Sequence, residues 1–198
     1  MTVAATIDSA AARRAMIDSQ LRVSGVNQEP VLAAMAAVAR EDHVPAAARG
    51  HAYIDRAIPL DGTHALPAPL VQGQMLALAA PQPGERVLVV SCGSNYLPAL
   101  VEAMGASVEV ASAAEAAAGK PGSVGCTLLL IDGAIEQLPQ ALVDALADGG
   151  RVITGLTRRG VTSLAQGSKL GGTVQLAVVA DIGIPVLAEF AAPKGWSF

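Results

Sequence analysis

VLVVSCGSNY, residues 87–96, decides the fold. Val87, Leu88, Val89 and Val90 make an apolar run suited to a buried strand, Gly93 permits a tight bend, and Tyr96 opens a stretch of helical character. Strand, glycine bend and helix in that order form the ligand-binding turn of an open α/β sheet, where a ligand sits against the start of the helix. A dinucleotide fingerprint would need glycine at 91, 93 and 96. Only Gly93 qualifies, so that reading fails on spacing.

Outward from this turn, the chain alternates strands and helices. A strand at 86–91 leads to a helix at about 96–104 and a strand, SVEVA, at 107–111. LLLID at 128–132 is a near-continuous apolar run, as for a strand covered on both faces. A helix at about 139–147 ends at Gly149–Gly150, and RVITGL follows as a strand. TVQLAVVADI and PVLAEF then read as two strands joined by a short Gly–Ile connection. The pattern predicts a mostly parallel sheet with an antiparallel C-terminal edge. Between Ser112 and Leu128 there is room for one short helix and no further strand, which puts SVEVA at or near the sheet edge.

The N-terminal part is helical. Residues 6–23 place Ile7, Ala11, Arg14, Ile17 and Leu21 at threes and fours. Asn27 reads as the N-cap of a second helix, with Pro30 in its first turn, running to about Arg40. A Pro- and Gly-rich connector leads to a third helix at about 69–80 and a turn at PQPGE.

Composition narrows the function. Of the 198 residues 52% are apolar, largely through alanine, and only 3% are aromatic, too few for stacking platforms. A net charge of −4 argues against a nucleic-acid partner. Arg13–Arg14 and Arg158–Arg159 read as solvated surface. Two cysteines, Cys92 and Cys126, make neither a disulfide framework nor a metal site, and each reads as reduced and buried. The N-terminus lacks a signal-peptide core, and no apolar run approaches the roughly 20 residues of a membrane span. No membrane partner and a cytoplasmic location are expected.

MIDSQLRVSGV, VLAAMAAVAREDHVP, AYIDRAIPL and PGERVLVVSCGSNY follow one another as do corresponding segments of a known family, and IDGAIEQLPQALVDAL and ADGGRVI continue the series. The chain resembles protein-L-isoaspartate O-methyltransferases, which use S-adenosylmethionine to methylate isoaspartyl carboxylates in damaged proteins. The resemblance implies a Rossmann-like α/β methyltransferase domain at 81–198 behind an N-terminal helical annex and connector at 1–80. It also implies S-adenosylmethionine as cofactor and a protein or peptide substrate. The cofactor positions it points to are Ser91, Gly93, Ser94, Asn95, Tyr96 and Ser112.

Departures from the family pattern bear on the site. Val89 replaces the first strand's acid, Ser91 the first glycine and Asn95 the last, where Asn95 could keep the bend through its tolerance of positive φ. Ser112 stands where a carboxylate would accept the ribose hydroxyls, with Glu115 three residues late. The family's next helix and strand, on the adenine side, have no counterpart. Ala65 and Pro67 occupy the two hydroxyl positions near the substrate carboxylate, and proline has no hydroxyl.

Asp132 ends an apolar strand at the carboxyl edge, where open α/β sheets bind ligands, and reads equally as a cofactor contact or as an N-cap or turn aspartate. Asp55 is either an active-site neighbour or an ion-pair partner of Arg56. His64 is either a base or a solvated loop histidine, the second being favoured. Tyr96 fits helix-start packing better than a ligand contact. His43 and His51 lack partners at metal-ligand spacing. Two functions stay open: a working methyltransferase with a minimal site, or a non-catalytic member whose fold serves binding or assembly. The residues favour the second.

Overall fold

The structure, a computed structural model, describes residues 8–122 and 124–192. Helix α1 (Ser9–Met16) starts at Asp8, whose carboxylate accepts the Ala10 and Ala11 N–H groups. It continues as a π-helical turn, Ile17–Leu21, and a 3-10 turn, Arg22–Ser24, and stops at left-handed Gly25. Ile17 and Leu21 of the expected stripe are buried, as is Met16, which is not part of it, while Ile7 lies outside the described residues. Helix α2 (Glu29–Ala37) is capped at Gln28 rather than Asn27, because the Gln28 carbonyl takes the first helical N–H groups. It ends short of Arg40: Val38 turns extended, which swings Arg40 inward to full burial at the start of a 3-10 turn.

The connector contains a small hairpin, β1 (Ile58–Pro59) with β2 (Ala65–Leu66), and then helix α3 (Pro69–Ala79). The α/β part runs β3 (Arg86–Ser91), α4 (Tyr96–Ala103), β4 (Ser107–Ser112), α5 (Ala113–Ala117), β5 (Cys126–Ile135) and α6 (Gln140–Ala145). It closes with β6 (Leu146–Arg158), β7 (Val161–Leu170), β8 (Thr173–Val174) and β9 (Ala177–Asp181). The sheet order is β4-β3-β5-β6-β7-β8, with β9 also on β7. The first four strands are mutually parallel, and the pairs involving β7 are antiparallel. Strand β4 is the edge, as the short link to β5 requires.

The C-terminal edge differs from expectation. PVLAEF is not a strand paired with its predecessor: Val186 makes one isolated parallel bridge to Ala134, and Ala188–Phe190 is a 3-10 turn. Its buried residues, Leu187 and Phe190, are three apart, the period of such a turn and not of a strand. The antiparallel edge is built instead by β7, which the sequence reading missed. Arg159 and Gly160, at φ 52 and 78, form the two-residue left-handed turn that folds β7 back onto β6. Residues from the annex (Met16, Leu21, Met35) and from the sheet (Val89, Leu130, Ile153) share one core.

Candidate functional site

The site lies where β3, β4 and β5 end, and the turn after β3 closes on itself. Gly93 adopts φ 98, which supplies the bend, whereas Asn95 sits at φ −87 and caps α4, so the left-handed role expected of Asn95 falls to Gly93. Ser91 Oγ donates to the Ser94 carbonyl at 2.8 Å and accepts the Gly93 N–H at 3.0 Å. Ser94 Oγ in turn donates to the His43 carbonyl at 3.0 Å. Hydroxyls that could face a ligand are spent on the turn. Tyr96 is fully buried in the first turn of α4, with the Arg40 guanidinium 4.8 Å from its ring centroid.

Beneath the turn lies a polar chain cut off from water. Arg40 donates through Nε to the Ala52 carbonyl (2.8 Å), through Nη2 to the Pro67 carbonyl (2.6 Å) and through Nη1 to Gln72 Oε1 (2.6 Å). Gln72 Nε2 donates to both Asp132 oxygens at 3.0 and 3.1 Å, and Cys92 Sγ donates to Asp132 Oδ2 at 3.2 Å. Arg40, Gln72, Cys92 and Asp132 are each 0% exposed. Asp132 is therefore neither a cap nor a turn residue. It sits inside β5, which continues to Ile135.

Burial pushes the Asp132 carboxyl up to about 6, against the opposing pull of Cys92, Gln72 and Arg40. Burial, followed by the charge of Asp132, raises the Cys92 thiol well above the ordinary thiol range. Cys92 stays protonated and acts as a donor. Both it and Cys126 are unpaired and buried, as expected.

Ser112 and Glu115 are tied to each other. Ser112 caps α5: its Oγ accepts the Glu115 N–H, and the Glu115 carboxylate reaches back to the Ser112 N–H at 3.0 Å and hydroxyl at 2.7 Å. Pro67 is buried, and its carbonyl holds Arg40. Asp55 accepts the Leu70 N–H at 3.1 Å and so caps α3 rather than serving as a partner for Arg56. Arg13, expected in solvent, donates to the Tyr53 hydroxyl, the Ala36 carbonyl and Glu41.

His64 is not a free loop histidine. Its Nδ1 lies 2.9 Å from Asp61 Oδ2 and its Nε2 2.7 Å from Glu189 Oε1, and hydrogen bonds to these two carboxylates raise its pKa. Glu189 belongs to the C-terminal segment, which lies across the end of β5. Among the described residues no group of histidines, cysteines and carboxylates could hold a metal ion.

The structure brings Ser91, Gly93, Ser94, Tyr96 and Asp132 to one place and leaves Asp55 at the start of α3. Arg40, Gln72, Glu189 and Phe190 escaped the sequence reading. A glutamine in the otherwise apolar face of LVQGQMLAL was the one available signal.

Comparison with known proteins matches the family model described as protein-L-isoaspartate(D-aspartate) O-methyltransferase over residues 11–118. A protein-L-isoaspartate O-methyltransferase of Methylorubrum populi is 33% identical over 166 aligned residues, which cover 72% of this chain and 78% of the relative. One from Aeropyrum pernix is 32% identical, covering 93% and 83%. A crystal structure of a Plasmodium falciparum protein assigned to the same activity, in complex with S-adenosyl-L-homocysteine, superposes with a TM-score of 0.72 at 16% identity over 91% of this chain and 98% of the other.

Proposed function

The chain belongs to the protein-L-isoaspartate O-methyltransferase family, and from that premise we propose that it is a member whose cofactor cleft is closed by its own side chains. It binds S-adenosylmethionine weakly, methylates isoaspartyl carboxylates slowly or not at all, and uses its fold chiefly for binding or assembly with a protein or peptide partner.

One observation carries this. Asp132, at the carboxyl end of the sheet, is wholly buried and already bonded to Gln72 and Cys92. A ligand entering here meets a filled, hydrogen-bonded interior and not a lined cavity. The neighbouring positions do not fit the cofactor either. A ribose diol seeks a carboxylate, but Glu115 is engaged with Ser112, and among the described residues no strand lies outside β4 to wall an adenine. The hydroxyl position at Pro67 offers only a carbonyl that Arg40 has taken.

Loss of one charge-assisted hydrogen bond costs about 1.5–3 kcal/mol, one to two decades of affinity. Two such losses take a micromolar ligand to roughly a hundred micromolar or weaker. No helix among the described residues is long and apolar enough to cross a membrane. Two unpaired buried thiols favour a reducing, cytoplasmic setting.

The test is a calorimetric titration with S-adenosylhomocysteine, paired with an assay of methyl transfer to an isoaspartyl peptide. Weak or undetectable binding with slow or no turnover is expected, and Ser112→Glu should not improve it. Micromolar binding with turnover would falsify the closed-cleft reading.

A further inference from the structure

Residues 184–192 cross the carboxyl end of β5 after the chain leaves β9. They are tied at both ends: the Ile184 N–H donates to Thr162 Oγ1 at 3.0 Å, the Ala192 N–H to Glu136 Oε2 at 2.7 Å, and Gln137 Nε2 to the Ala191 carbonyl at 3.1 Å. The Pro185 carbonyl accepts the Ala134 N–H at 2.8 Å, and the Leu187 N–H donates to the Ala134 carbonyl at 2.9 Å. Leu187 is seated on Gly133 so closely that a Cβ there would lie 2.6 Å from Leu187 Cγ. Phe190 is 1% exposed in the turn Ala188–Phe190, which packs against α5, and its carbonyl accepts the Glu136 and Gln137 N–H groups at 3.3 Å. The turn that buries this apolar residue thus lies between the residues just after β5 and the helix that follows β4. Ligands of open α/β sheets bind in the crevice outside such strand ends.

From the other side the β1–β2 hairpin leans over the turn, with Leu60 Cδ1 3.8 Å from where a Gly93 Cβ would stand. His64, on that hairpin, bridges the two covers. The charged groups facing its ring are Asp61 on the hairpin loop and Glu189 on the C-terminal segment. Only an imidazolium donates to both carboxylates at once. A neutral ring has one N–H and turns a lone pair on the other carboxylate.

Building on the closed-cleft reading, we propose that residues 184–192 are a strap whose Phe190 stands in for the nucleoside of the cofactor, latched by the His64–Glu189 contact and loosened toward alkaline pH. The raised His64 pKa sets the direction: latching is complete below the ordinary histidine value of 6.5 and is lost as pH rises through the higher folded-state value. A short segment outside the main sheet can open locally without unfolding the sheet.

Hydrogen exchange on the full chain at about pH 6 and about pH 9, corrected for the intrinsic rate, tests the latch. Amides of 187–192 should lose protection by about threefold at the higher pH while β3 and β5 keep theirs, and Glu189→Gln should abolish the difference. Equal protection of the strap at both pH values in the unmutated protein overturns the latch.

Titration of S-adenosylhomocysteine into Phe190→Ala, with Phe190→Leu as the better-packed control, tests the stand-in. Binding by Phe190→Ala should be about tenfold tighter than by the parent, with an intermediate gain for Phe190→Leu. Unchanged affinity in both folded variants overturns it. The two failures are separable from failure of the closed cleft, which shows as micromolar binding by the unmutated protein, whatever the exchange data give.

Discussion

Arg40, Gln72, Cys92 and Asp132 lie wholly out of solvent beneath the β3–α4 turn, whereas Asp61, His64 and Glu189 close the same edge of the sheet within reach of water. In the first cluster each side chain is bonded to another or to a backbone carbonyl, and no member can leave without stranding another in a medium that solvates it poorly. In the second, water takes over whatever bond is lost, so the contact is cheap to break and responsive to pH. The difference separates what keeps the cleft filled from what could open it. The buried chain is part of the fold, and the half-exposed latch is the adjustable part.

The largest effect should follow from cutting the buried chain at its cation. Arg40→Met retains apolar bulk but leaves the Ala52 and Pro67 carbonyls and Gln72 Oε1 without a donor, and Asp132 without its nearest positive charge. Denaturant unfolding should register a loss of about 3–5 kcal/mol, the cost of removing one side of a buried ionic network. A loss below about 1 kcal/mol would mean that water already reaches the cluster, and the contrast between the two clusters would collapse.

Asp132 gives the next effect, and its sign is specific. Its carboxyl is pushed from an ordinary 3.8 up to about 6 in the folded protein, so between those values the folded state holds more proton than the unfolded one. Stability is therefore greatest at the acid end of that window and falls as pH rises through about 6, by roughly 3 kcal/mol in all. Asp132→Asn should flatten the stability profile there. A slope of the opposite sign would show that Arg40 and Gln72 outweigh burial.

Strand β3 was legible in the sequence because four consecutive apolar residues ended by a glycine bend have few other solutions, and its bounds are those expected. The edge position of β4 was legible too, from the length of the link alone. Strand β7 was not: VTSLAQGSKL carries polar and small residues on both faces, and only the Arg159–Gly160 turn marks the hairpin. PVLAEF was misread because Leu187 and Phe190 supply strand-like apolarity that serves a turn. At the site, LLLID looked complete at Asp132, but the small residues Gly133 and Ala134 let β5 run on beneath Leu187. The partner that makes His64 more than a loop residue is Glu189, far along the chain, and no local pattern carries that pairing.

The smallest effect belongs to the latch and concerns the whole molecule rather than the strap. His64 is raised above its ordinary value by two carboxylates, so its contribution to folding is present in full at acid pH and disappears as the ring deprotonates. Because Asp61 is exposed and His64 and Glu189 are each partly so, that contribution should stay below about 1 kcal/mol. Glu189→Gln should lower global stability by no more than this at about pH 6, and the difference should shrink as pH rises through the raised His64 value and the ring loses its proton. Raising the salt concentration should shrink the acid-side difference, as it does for exposed pairs, while leaving the Asp132 slope nearly untouched. If Glu189→Gln instead cost as much as Arg40→Met, and at both pH values, the second cluster would be as structural as the first. The strap would then be a fixed part of the fold with nothing to release.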